Sequence, residues 1–181
     1  MLLSAPLCAQ KNEWTVKPGE SIRDVLGDSV IYRYPQFIEG KVFYKDGSAS
    51  RGLLNFNFIT GEMQFIAPSK DTLALANEVT IKYITIQSDT FYFDKVYIEL
   101  IHSSSQAKLG KLEIIKRGDV KKEAAFGQMS STTAIDAMSS LYGARQTYKL
   151  AEQSTITLQR KTWFFVGDST NHFLPGVKNK E

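Results

Sequence analysis

The sequence predicts a mainly β domain: an antiparallel meander forming a curved sheet, a sandwich or a partly closed barrel, with one or two short helices. Three observations carry this. Apolar and polar residues alternate through most of the stretch from Val30 to Glu123, as in strands with one buried face. The runs are joined by short segments rich in Gly, Asp and Ser, too short for βαβ crossovers, so neighbours are antiparallel. Aromatic residues make up 12% of the chain, with 11 Phe and 8 Tyr, and such side chains favour strands.

Each element follows from local pattern. Lys17-Pro18-Gly19 marks a turn, and Ser21 to Gly27 reads as one helical turn with Ser21 as N-cap and Gly27 as stop. Val30-Ile31-Tyr32-Arg33-Tyr34 reads as a strand ended by Pro35. Lys41 to Tyr44 is a second strand, closed by the turn signal Asp46-Gly47. Leu54, Phe56 and Phe58 alternate with Asn55 and Asn57. Ile59-Thr60-Gly61 turns the chain, and Glu62 to Ile66 returns in the same alternation, so a hairpin is expected here. Strands follow at Leu73 to Leu75 and Thr80 to Gln87. Ser88-Asp89 turns into Thr90 to Phe93. Val96, Ile98 and Leu100 then share one face, as do Leu112 and Ile114 before a turn at Arg117-Gly118-Asp119. Residues 124–143 are a short helix or a loop, because Gln128 to Ser140 is rich in Ser, Thr and Ala. Arg145 to Leu150, Ser154 to Leu158 and Thr162 to Val166 read as strands again.

The first ten residues bear on compartment. Met1 to Gln10 looks like the back half of a secretory signal, with the small Ala9 before Gln10 and charge beginning at Lys11. Residues 1–9 are thus read as a truncated signal remnant, 10–29 as a lead-in, 30–166 as one β-rich domain and 167–181 as a tail. A lipoprotein acylated at Cys8 and an ordinary N-terminus are the other readings of this segment. Cys8 is the only cysteine, so a chain cut after Ala9 has no disulfide. The expected location is exported: periplasmic, outer-membrane-associated or secreted. No apolar run approaches the roughly 18 residues of a membrane-spanning helix. A net charge of +3 is too small to argue for nucleic acid.

Tyr34-Pro35-Gln36-Phe37, Gly40-Lys41-Val42, Asp46-Gly47, Leu54-Asn55-Phe56-Asn57, Glu62 to Ile66 and Asp71-Thr72-Leu73 together resemble a group of uncharacterised exported proteins of Bacteroidota-type bacteria. The resemblance covers residues 30–115. It implies export and β-structure, and it brings no activity and no site residue.

Candidate sites divide between chemistry and plainer accounts. Asn55, Asn57, Glu62 and Gln64 form a polar face able to hydrogen-bond a sugar or peptide, and are the ligand-binding candidates. The plainer account is the solvated face of a hairpin. Asp71, Asp89, Asp94 and Glu99 contain pairs that would suit glycoside hydrolysis at about 5–10 Å, although Asp before Thr also caps turns. His102 and His172 are too few and too far apart for zinc, and no Gly-x-Ser-x-Gly elbow exposes a serine. Exposed aromatics among Tyr32, Tyr34, Phe37, Phe43, Tyr44, Tyr92, Tyr97, Trp163, Phe164 and Phe165 would suit carbohydrate or a protein partner. The lysines from Lys108 to Lys122 are offset by Glu113, Asp119 and Glu123. No glycine loop precedes Gly40-Lys41 or Gly110-Lys111 to cradle a phosphate.

The expected function is therefore an exported cell-envelope protein acting by binding or as a structural component. No catalytic residue, cofactor or metal is assigned, and an envelope protein or glycan is the expected partner. The alternatives are a glycan-directed hydrolase using an acidic pair and an accessory subunit of an outer-membrane assembly.

Overall fold

The computed structural model describes residues 12–123, 129–130 and 155–176. Within them the chain forms β1 (Glu13–Val16), α1 (Ile22–Leu26), α2 (Asp28–Ile31), β2 (Ile38–Tyr44), β3 (Ala49–Asn57), β4 (Glu62–Ile66) and β5 (Thr72–Ala74). A 3-10 turn at Glu78–Thr80 leads to β6 (Ile81–Ile86), β7 (Asp89–Asp94), β8 (Val96–Ser103) and β9 (Lys108–Glu123). The remainder is β10 (Met129–Ser130), β11 (Thr155–Gly167) and β12 (Phe173–Pro175). All twelve strands belong to one open antiparallel sheet, in the order β1-β11-β9-β8-β7-β6-β2-β3-β4-β5, with β10 beside β9 and β12 beside β11. From β6 to β9 every strand pairs with the next in the chain, as a meander does.

One face carries the main core. Val42, Ile84 and Phe91 line up across β2, β6 and β7 by register and are buried; Tyr97 of β8, also buried, shares their face two residues before Glu99, the register partner of Phe91. Phe56 packs against Phe58, Phe91 and Tyr97 with ring centroids 5.7–6.2 Å apart. Ile22, Leu26 and Ile31 of the two helices join this inner cluster, as do Trp14 and Val16 of β1. Past Lys111 strand β9 outruns β8, and the tip of the β3–β4 hairpin meets it instead: the Ile115 N–H donates to the Phe58 carbonyl at 2.7 Å.

The β3–β4 hairpin lies where the alternation places it, with Asn57 opposite Glu62 and Leu54 opposite Phe65. Four expectations are corrected. Val30 and Ile31 lie in α2, not in a strand. Gly27, at φ 74°, ends α1 and restarts the chain at Asp28, and burial of Ile31 outweighs the local β-preference. Only Tyr32 keeps a bridge, to Asn57. Arg117-Gly118-Asp119 is not a turn, because β9 runs on beside β11 and absorbs the irregularity as a register shift opposite Thr157. For the same reason the two short strands expected around Leu158 and Phe164 are one strand, β11. Part of the expected tail is structured, because β12 pairs with Phe165 to Gly167. Ser21 stands at the start of α1, but its side chain makes no capping bond. The helix or loop expected over 124–143 lies outside the described residues except for Met129–Ser130, which pair with Glu123 and Lys122. The strand expected at Arg145 to Leu150 also lies outside them.

Candidate functional site

The four polar candidates do come together, at one end of the β3–β4 hairpin. Asn55 is fully buried, however, because residues 32–37 run across its face. Its Oδ1 accepts the Tyr34 N–H at 3.1 Å, and its Nδ2 donates to the carbonyls of Tyr34 at 2.9 Å and Gln36 at 3.3 Å. That side chain replaces the ladder bonds which the bent segment 33–36 cannot make. Asn57 Oδ1 accepts the N–H groups of Ile59 and Thr60, fixing the hairpin turn. Gln64 Oε1 accepts from the Tyr32 hydroxyl at 3.2 Å and from Asn57 at 3.4 Å, while Gln64 Nε2 reaches Glu62 at 3.5 Å. The cluster bonds chiefly to its own fold.

The acidic candidates separate. Asp71 accepts the Ser69 hydroxyl in an exposed turn. Asp89 and Glu99 lie on the inner face and share the Arg33 guanidinium: Nε and Nη2 grip Glu99 at 3.2 and 3.1 Å, and Nη2 reaches Asp89 at 3.1 Å. The chain of charge continues through Lys111, which lies 3.5 Å from Glu99 and 3.8 Å from Glu113, to Arg160, 2.6 Å from Glu113. Arg160 also donates to the Val30 carbonyl and lies over the Phe58 ring. Burial, reinforced by donation to Asp89 at 2.7 Å, pushes the Tyr34 hydroxyl well above the ordinary tyrosine range, so it stays a proton donor. Each carboxylate here faces a cation, and the row marks the border of the inner core. Among the described residues no group of three His, Cys, Asp or Glu side chains is placed to hold a metal.

Beyond that border the inner face is apolar and open. Phe164, Val166 and Leu174 are 55%, 54% and 60% exposed, and Leu109 stands directly opposite Val166.

The outer face carries an aromatic row: Phe43 stacks on Tyr83 at 4.5 Å, Tyr83 approaches Tyr92 at 6.3 Å, and Tyr92 meets Phe173 at 5.7 Å. Burial raises the Tyr92 hydroxyl above its usual range. Past Phe173 the surface falls into a pocket of about 440 Å³ between β12, the β7–β8 turn and the middle of β9 and β11. Val96, Leu112, Trp163, Phe165 and Pro175 supply its apolar lining. Its charged lining is Asp94, Lys95, Lys116 and His172. Asp94 Oδ2 accepts the Phe173 N–H at 2.8 Å and lies 3.1 Å from His172 Nδ1. Lys116 holds its ammonium 4.9 Å from the Trp163 ring centroid. The alternation of Trp163 and Phe165 was visible in the sequence, but the four chain segments that build the pocket are not linked by any spacing.

No family model matches this chain, and neither a curated protein nor a solved structure matches it. Among the described residues no helix is long and apolar enough to cross a membrane.

Proposed function

We propose that this is an exported cell-envelope protein that acts by binding and not by catalysis. One observation carries the reading: the carboxylates that the fold gathers are spent on Arg33, Lys111 and Arg160, while the 440 Å³ pocket that stands open is walled by apolar side chains. A hydrolase needs two carboxyl groups facing a substrate cleft, and a binding site needs a concave apolar wall with a few polar groups. Export is supported by the Ala9-Gln10 junction and by the resemblance of residues 30–115 to exported proteins. The test is fractionation of the native cells, with a C-terminal tag added to the gene in its own chromosomal place, and sequencing of the mature N-terminus. Recovery from the envelope, starting at Gln10, is expected; an unprocessed cytoplasmic chain overturns export. Glycan cleavage that disappears in Glu99→Gln would overturn the non-catalytic reading.

The open apolar surface at Leu109, Phe164, Val166 and Leu174 favours a second reading, an accessory subunit docked on an outer-membrane assembly. A photo-crosslinker at Val166 is then expected to trap one defined envelope protein, and Phe164→Asp to abolish the adduct.

A further inference from the structure

We propose that the outer-face pocket binds a small amphiphilic carboxylate, its apolar body against Trp163, Phe165 and Leu112 and its carboxylate held by Lys95 and Lys116. This rests on the reading that the protein works by binding, and is independent of where the protein resides.

Size, lining and charge point the same way. At about 30 Å³ for each water-sized group, 440 Å³ holds about 15 non-hydrogen atoms, the size of a medium-chain acid. The lining has no amide or hydroxyl side chain among the described residues; its polar groups are mostly charged, which suits a charged ligand better than a neutral sugar. The one acid, Asp94, is committed to the Phe173 N–H and to His172. Among the described residues neither Lys95 nor Lys116 has a carboxylate within 4 Å. Two cations beside an apolar hollow suit an anion with an apolar body and repel an ammonium ligand. Lys116 lies against the Trp163 ring, so an anion at its Nζ sits at the edge of the apolar wall. Lys95 occupies the turn between β7 and β8 at φ 64°, in the left-handed region where glycine is at ease. Lysine is held there against its backbone preference, in the lining of the pocket.

Decanoate, kept below its micelle concentration, is the probe, with decanol and decyltrimethylammonium for comparison. The indole N–H signals of Trp163 and Trp14 report by NMR, assigned with Trp163→Phe. Trp14 is buried in the inner core and serves as the internal reference. Saturable movement of the Trp163 signal by decanoate is expected, with Trp14 unmoved and decanol about fivefold weaker or more. Lys95→Gly combined with Lys116→Ala is expected to weaken decanoate about tenfold and leave decanol unchanged. Lys95→Gly relieves the turn, so a thermal midpoint held or raised shows that lost binding is not lost fold. The proposal falls if decanoate leaves Trp163 unmoved, if decanol binds as tightly, or if the double variant binds decanoate as before. An exported chain that ignores decanoate sinks this inference alone, and a cytoplasmic chain that binds it sinks export alone.

Discussion

Gly167 leaves room for the ring of Phe173 and for nothing else: a methyl group on Gly167 would stand 2.5 Å from the ring. Gly110 does the same from β9, where an added Cβ would strike Ile98 and come within 3.3 Å of the same ring. Two glycines on neighbouring strands thus form the seat that lets β12 close against the outer face.

Gly167→Ala is expected to cost about 1–3 kcal/mol, because the ring must leave its seat. Urea unfolding measures it. In a Phe173→Ala background the same substitution should cost little, and that cycle assigns the penalty to the ring. An equal cost in both backgrounds would place it in the β11 backbone.

Asn55 stands as the clamp of the bent segment before β2. Asn55→Ala removes three hydrogen bonds and strands the buried Tyr34 N–H, for an expected loss of about 2 kcal/mol. Asn55→Asp should be worse, since a carboxylate cannot donate to the carbonyls of Tyr34 and Gln36. Unfolding curves for both variants, with Gln64→Ala as the half-exposed comparison, check the order.

Asn55 also shows what the sequence could and could not tell. The alternation of residues 54–58 with 62–66 determined the hairpin, since a period of two with small turn residues admits few other folds. The same alternation made Asn55 look solvated, because nothing local reveals that residues 32–37 cover it. Strands β1 and β12 span four and three residues, too short for a period to register. Arg117-Gly118-Asp119 has turn composition, yet a long partner strand overrode it. The pocket joins Lys95, Lys116 and His172 through tertiary folding alone.

Arg33 ties the segment after α2 to β7 and β8. Its partners are partly solvated, with side-chain exposures of 30% for Arg33, 24% for Asp89 and 14% for Glu99. The expected cost of Arg33→Met is therefore about 1–2 kcal/mol, below that of breaking a fully buried pair. Arg33→Lys should recover less than half, because an ammonium cannot make the fork that grips both Glu99 oxygens. Rising salt should narrow the gap between wild type and Arg33→Met. Guanidinium would mask that dependence, so urea is the denaturant of choice.

Asp168 organises the turn between β11 and β12. Its Oδ1 accepts the Thr170 hydroxyl at 2.7 Å and the N–H groups of Thr170 at 2.8 Å and His172 at 3.0 Å. Donation from the Thr170 hydroxyl, then from the His172 N–H, holds the Asp168 carboxyl below its ordinary range. A group depressed in the folded state stabilises above its unfolded pKa, about 3.9 for aspartate, and loses that contribution as pH falls through the folded value. The turn is therefore expected to be intact at neutral pH and to loosen only below about pH 4. The amide shifts of Thr170 and His172 should titrate with a midpoint below 3.9, the free aspartate value. In Asp168→Asn the same shifts should be flat through that range, because the amide oxygen still accepts but carries no proton to gain. A midpoint at or above the free value would mean that the turn does not favour the charged carboxylate.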